Sequence, residues 1–190
     1  MVNFRLTFRK LSKSGQTACY DADGNGISCA GTGQDGDLQK GVAWPSPRFT
    51  NNNDQTITDN LTGLMWTQNG NAPGPDVCTP GVTKNWQPAL DYVTCLNTNN
   101  YLGYNDWRLP NTIELTSLDN LGTKSNEAWL STQGFNNLIE MYVSSTTYAK
   151  SAHYYWTINM ERDGLGYMLD MVDKNGDPYK LGVWPVRGGQ

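Results

Sequence analysis

The chain has 190 residues, a length suited to one domain rather than two. Hydrophobic residues make up 37% and aromatic residues 11%, with 7 Trp and 10 Tyr, so a core can be built and wholesale disorder is excluded. A net charge of -4 and a pI near 4.9 speak against nucleic acid or an anionic membrane as the main partner, and no apolar run approaches the ~18 residues of a membrane span.

The basic start, Met1 to Lys13, lacks the apolar stretch of about 7–15 residues that a signal peptide needs. Residues 14–50 are rich in Gly and Asp, with turn markers at Asp23-Gly24, Asn25-Gly26 and Asp35-Gly36 and almost no helical periodicity. Residues 1–50 therefore read as an irregular lobe of the same domain whose main body is 51–190. Four cysteines fall into two local pairs without CxxC spacing, so disulfides are the leading reading over metal or redox chemistry. Of the three possible connectivities, Cys19 with Cys29 and Cys78 with Cys95 is favoured, because each pair closes a short turn-rich loop. Bridges of this kind place the chain in an oxidising compartment: extracellular, at a cell surface or on a phage particle.

After a polar turn at Asn51 to Asp54, Thr56-Ile57-Thr58 and Leu64-Met65-Trp66-Thr67 flank Leu61-Thr62-Gly63 as a hairpin. Pro73 to Thr83 is a loop tied by Cys78. Trp86, Ala89, Leu90, Val93 and Leu96 recur at helical spacing, with Asn85 as cap and Pro88 in the first turn. A second helix starts at Asn111, where Glu114 completes a capping box and Pro110 with Leu115 can staple; Gly122 is its expected end. Asn126 to Leu130 adds a helical turn. From Tyr142 the period becomes two, with strands at Tyr154–Met160, Tyr167–Val172 and Leu181–Val186 and hairpin turns at Asp163-Gly164 and Lys174 to Asp177. Two helices packed on a small antiparallel sheet make an α+β domain. Trp66, Trp107, Trp156 and Trp184 should form or border its core, with Arg108 paired internally.

Three kinds of chemistry are open to these residues. Asp21, Asp23 and Asn25 fit the first half of an oxygen-ligand calcium loop, but the twelfth position is Thr32, and a glycine-rich turn explains the same residues; Asp35 and Asp37 are near enough in sequence to substitute. Calcium is the one cofactor suggested. The single histidine, His153, excludes two-imidazole metal sites and has no GxSxG partner. Asp106 and Glu114 are better used in ion pairing and capping than as a glycosidase pair, so the chain reads as non-enzymatic. More informative is the aromatic stretch. If Trp156, Ile158 and Met160 face the core, then Tyr155, Thr157, Asn159 and Glu161 face solvent. Neighbouring hairpins would add Tyr148, Lys150, His153, Tyr154, Arg162, Tyr167, Asp173, Asn175 and Tyr179, giving rigid aromatic anchors among short polar groups, suited to a protein or glycan ligand.

Several strings coincide with one family. Gly15 to Asp21, Gly31 to Asp37, Trp44 to Phe49, Thr58 to Trp66, Asp106 to Asn111 with Glu114-Leu115, Ser144 to Thr146 and Val186 to Gly189 resemble the Lcl_C family, the C-terminal domain of the Legionella collagen-like adhesin and its bacterial relatives. The likeness runs over nearly the whole chain. It implies a C-type-lectin-like fold and an exported or surface-attached ligand-binding module; the best-known member recognises sulfated polysaccharides as a trimer. This chain carries no collagen repeat, its pI is acidic, and it has Tyr142-Val143 where the family shows Tyr-Trp. Some relatives resemble variable proteins of diversity-generating retroelements, and Lys150 to Lys180 is similar in place and content to their variable segment. Two other classes fit the fold: a fimbrial or surface-layer component, and an enzyme of the formylglycine-generating type, which would need a reactive cysteine.

Overall fold

The structure, a computed structural model, describes residues 11–160, 169–175 and 181–188. The lobe at the start holds a two-stranded ribbon, β1 (Cys19–Tyr20) and β2 (Gly26–Ile27), and one helical turn, α1 (Asp35–Leu38). The Cys19–Cys29 disulfide pins it, as the spacing indicates. Trp44 packs on Trp129 at 5.4 Å, and the Leu121 amide donates to the Ser14 carbonyl, so the lobe is docked on the body.

The body has two four-stranded sheets. In the first, β3 (Phe49–Asn51), β4 (Thr56–Asp59) and β5 (Leu64–Thr67) form an antiparallel meander, and β10 (Val186–Gly188) adds beside β5. A buried ion pair braces its turn. Arg48 grips the Asp59 carboxylate with Nε and Nη2 at 3.0 and 3.1 Å and also donates to the Ser117 carbonyl. Asp59 in turn accepts from the Leu61 amide and the Thr62 hydroxyl, which is how a buried charge is tolerated.

Three helices follow the meander: α2 (Trp86–Thr98), α3 (Thr112–Ser117) and α4 (Asn126–Thr132). Asn111 and Glu114 make the full capping box, each side chain bonding the other's backbone amide. Gly122 does not end α3, because the helix closes at Leu118, four residues earlier than expected. Arg108 forms a fork with Glu114 at 2.7 and 2.6 Å, the internal pairing expected of it.

The second sheet contains β6 (Met141–Thr147), β7 (Tyr154–Asn159), β8 (Leu169–Asp173) and β9 (Leu181–Gly182) in the order β8-β7-β6-β9, and its β6–β9 pair is parallel. The class is α+β as expected, but the single terminal antiparallel sheet is corrected to two sheets. The expected last strand, Leu181 to Val186, divides because Val183, Trp184 and Pro185 carry the chain from one sheet to the other.

Both faces of the second sheet are covered. Tyr155, Met141, Val143 and Val172 join Ala89, Tyr92, Val93 and Leu96 of α2 in one core cluster. On the other face Tyr142, Ile158 and Met160 join Leu115, Leu118, Trp66 and Trp184 in a second. Trp66, Trp107 and Trp184 are buried, whereas Trp156 is only half-buried.

Candidate functional site

Because the sheet is two-sided, the expected exposed face of β7 is overturned at two positions. Tyr155 and Thr157 are fully buried beneath α2, with the Trp86 and Tyr155 rings 6.4 Å apart. Alternation cannot say which face meets water when each is packed. Asn159 is half-buried and donates to Glu140, at the opposite end of the strand from Tyr154. Glu161, Arg162, Tyr167 and Tyr179 lie outside the described residues.

What remains gathers at one end of β7 and β8. The Tyr148 amide donates to the Tyr154 carbonyl and the Tyr154 amide to the Ser151 carbonyl, closing a tight turn that presents Lys150 and His153 to solvent. The Lys174 amide donates to the His153 carbonyl, which brings Asp173 and Asn175 alongside. Register puts Tyr154 opposite Asp173 and Trp156 opposite Met171, so Tyr154, Trp156 and Met171 share a face. Tyr154 and Met171 are 38% and 41% exposed, and the Trp156 ring stands edge-on to Tyr148 at 5.2 Å. Trp156 and Met171 were absent from the expected site. Their signal was the aromatic excess of the strand itself, since a strand with Tyr, Tyr and Trp in succession must show a ring on each face.

The acidic turn has a structural occupation. Both Asp21 oxygens are engaged, one by the Asp23 and Asn25 amides and the other by the Asn25 side chain, and these bonds hold its carboxyl below the usual range. Asp37 accepts from the Gly33 amide and Asp35 from the Ser14 hydroxyl. Among the described residues no three His, Cys, Asp or Glu side chains converge, so the calcium expectation at Asp21, Asp23 and Asn25 finds no ligand cage.

A cleft of about 840 Å³ that sequence reasoning did not find opens between the loop after β5 and the loop before β6. Gln55, Gln68, Asn69, Asn71, Asn136 and Asn137 contribute side-chain amides to its lining, and Tyr101 an aromatic ring. Its floor is rigid. The Gly70 amide donates to the Asn136 carbonyl and the Asn136 amide to the Gln68 carbonyl, while Gln68 Nε2 reaches the Gly134 carbonyl at 2.9 Å. Gly70 lies so close to the core that a Cβ there would meet Leu138 and the Tyr142 hydroxyl at 2.7 and 2.9 Å. The far wall, around Pro73 to Gly81, is held by the Cys78–Cys95 disulfide to α2 and by Lys84, whose Nζ donates to the Thr79 and Val82 carbonyls. Burial lowers the Lys84 pKa and raises that of Tyr101. The local density of Asn and Gln at 51–55, 68–71 and 136–137 was visible in the sequence; that the three stretches meet was not.

No helix among the described residues is long and apolar enough to cross a membrane. No curated protein and no solved structure matches the chain. The family model of the Lcl C-terminal domain matches residues 55–187, a span that takes in β4, β5, α2 to α4 and the second sheet, and leaves β3 and the lobe at the start outside it. The chain therefore belongs to the Lcl C-terminal domain family.

Proposed function

We propose that this domain is a non-enzymatic recognition module working outside the cell, with a C-type-lectin-like fold, and that it grips a partner through the open end of β7 and β8. One observation carries the reading: Tyr154 and Met171 are 38% and 41% exposed on the face they share with the half-buried Trp156, on a sheet whose other described residues supply two core clusters. Tyr, Trp and Met are the residues enriched at protein interfaces, and Lys150, His153, Asp173 and Asn175 supply a polar rim, so the partner of this strip is a protein. Return of the last strand beside the first hairpin, with helices between, supports the lectin-like assignment. Both disulfides support an oxidising location. With every cysteine bridged, an enzyme of the formylglycine-generating type has no thiol to use. In the same reading, the exposed positions Lys150, His153, Tyr154 and Asn175 are those where retroelement-driven codon change would alter binding without touching the core.

A triple variant, His153→Ala, Tyr154→Ala and Met171→Ala, tests this. Screening the soluble domain against cell-surface protein arrays should find a partner that the variant no longer holds, with thermal melting nearly unchanged. Full retention of binding by the triple variant would move the site elsewhere.

A further inference from the structure

We propose that the amide-lined cleft is a second, separate binding site, and that it takes a short, uncharged oligosaccharide. Three features of the cleft lead there. Its volume of about 840 Å³ falls within the ~300–1,000 Å³ typical of small-molecule sites, and none of its lining residues carries a charge. A sulfated or carboxylated ligand would find no cation there to neutralise it.

The second feature is unused hydrogen-bonding capacity. The side chains of Gln55, Asn136 and Asn137 bond no other described group, and Asn71 Oδ1 is buried without a partner. Native structures rarely leave a buried acceptor unmet, and such an exception asks for an explanation. An amide offers two donors and an acceptor in one plane, which matches a hydroxyl that both donates and accepts. A row of such groups beside the Tyr101 ring suits a polyhydroxylated ring with a polar edge and an apolar face.

The third feature is backbone strain at the rim. Gln55, Ala72 and Asn137 line the cleft with φ of 68°, 40° and 49°, the left-handed region that residues other than glycine seldom enter. Strain of this kind concentrates at ligand sites, where the surroundings hold it. The hydrogen bonds from the Gln68 amide to the Gln55 carbonyl and from the Ala72 amide to the Val183 carbonyl do the holding here.

This site is distinct from the Tyr154 strip. Met141 pairs with Asn159 and Thr147 with Tyr155, so the loop entering β6 and the aromatic strip stand at opposite ends of one ladder, about 20 Å apart along the strand. Failure of one site leaves the other untouched.

The test is calorimetric titration of the soluble domain with maltotriose, cellotriose, mannotriose and triacetylchitotriose, with a heparin hexasaccharide as the charged comparison. At least one uncharged trisaccharide should bind, and its side-chain amide NMR signals should shift at Gln55, Asn71, Asn136 and Asn137. Asn136→Ala, an exposed change that leaves the fold alone, should weaken binding at least tenfold, and Asn71→Ala should do the same; Tyr154→Ala should change nothing. Absence of binding by all four sugars overturns the proposal. So does binding that survives Asn136→Ala with unmoved amide signals, or heparin displacing the sugar from these residues.

Discussion

Tyr154 and Tyr155 are chain neighbours with opposite fates, since the pleat sends one to solvent and the other beneath α2. Replacing Tyr155 with Ala should cost about 3–5 kcal/mol, the range for large aromatic side chains removed from a core, whereas Tyr154→Ala should stay within ~0.5 kcal/mol. Urea denaturation of the two variants checks this directly, and equal stabilities would mean that the sheet is placed wrongly. Trp107, 2% exposed and donating from its indole to the Tyr101 carbonyl, belongs with Tyr155: Trp107→Ala carries the same expected cost. At this scale the sequence was half legible. Arg108 was correctly read as internally paired, but Arg48 and Asp59 were not seen as partners, because nothing in a one-dimensional pattern distinguishes a buried Arg from an exposed one. Alternation puts Trp156 on the same side as Ile158 and Met160, which are core residues, but the pattern does not tell that this side is only half covered where Trp156 stands.

Elements with a local signature were the most legible. Helix α3 announces itself through Asn111 and Glu114, and the structure shows both reciprocal bonds. Asn111→Ala should therefore lower stability by about 1 kcal/mol, read from the shift in denaturation midpoint at unchanged slope. Helix α2 and the β4–β5 hairpin were similarly evident, from helical spacing and from a turn between two short apolar runs. Strand membership was not. Leu181 to Val186 reads as one strand, yet β9 pairs with β6 in parallel while β10 pairs with β5, and only long-range partners decide between those outcomes. The cleft escaped notice for a related reason: its walls come from segments around residues 55, 70, 80, 101 and 137, which share no periodicity.

Across the whole molecule, two properties can be measured in bulk. Reduction of the disulfides should destabilise by about 2–4 kcal/mol per bond, with Cys78–Cys95 contributing more because it closes the longer loop, 17 residues against 10. Stability should also fall above about pH 10. Tyr92, Tyr101 and Tyr142 have pKa values raised by burial from 10.0, so the unfolded chain loses these protons first and gains in relative stability as pH rises. Lys84 acts in the opposite sense, since burial lowers its pKa from 10.5 and folding is favoured as pH climbs towards that value. Three phenols outweigh one ammonium, and Tyr142→Phe should flatten the decline in denaturation free energy measured between pH 9 and 11.5.

The crossing of residues 181–188 from one sheet to the other sets the order of assembly. Trp184 and Val186 are fully buried, Arg108 pairs with Val186 through both backbone bonds, and each sheet lacks a strand until this stretch is present. A chain emerging from a ribosome thus cannot complete either sheet while this stretch is still being made, and its contacts join distant parts of the sequence, which slows closure further. Ending the chain after residue 180 should remove the cooperative melting transition altogether, and a truncated form that still melts sharply would show that the early segments assemble alone.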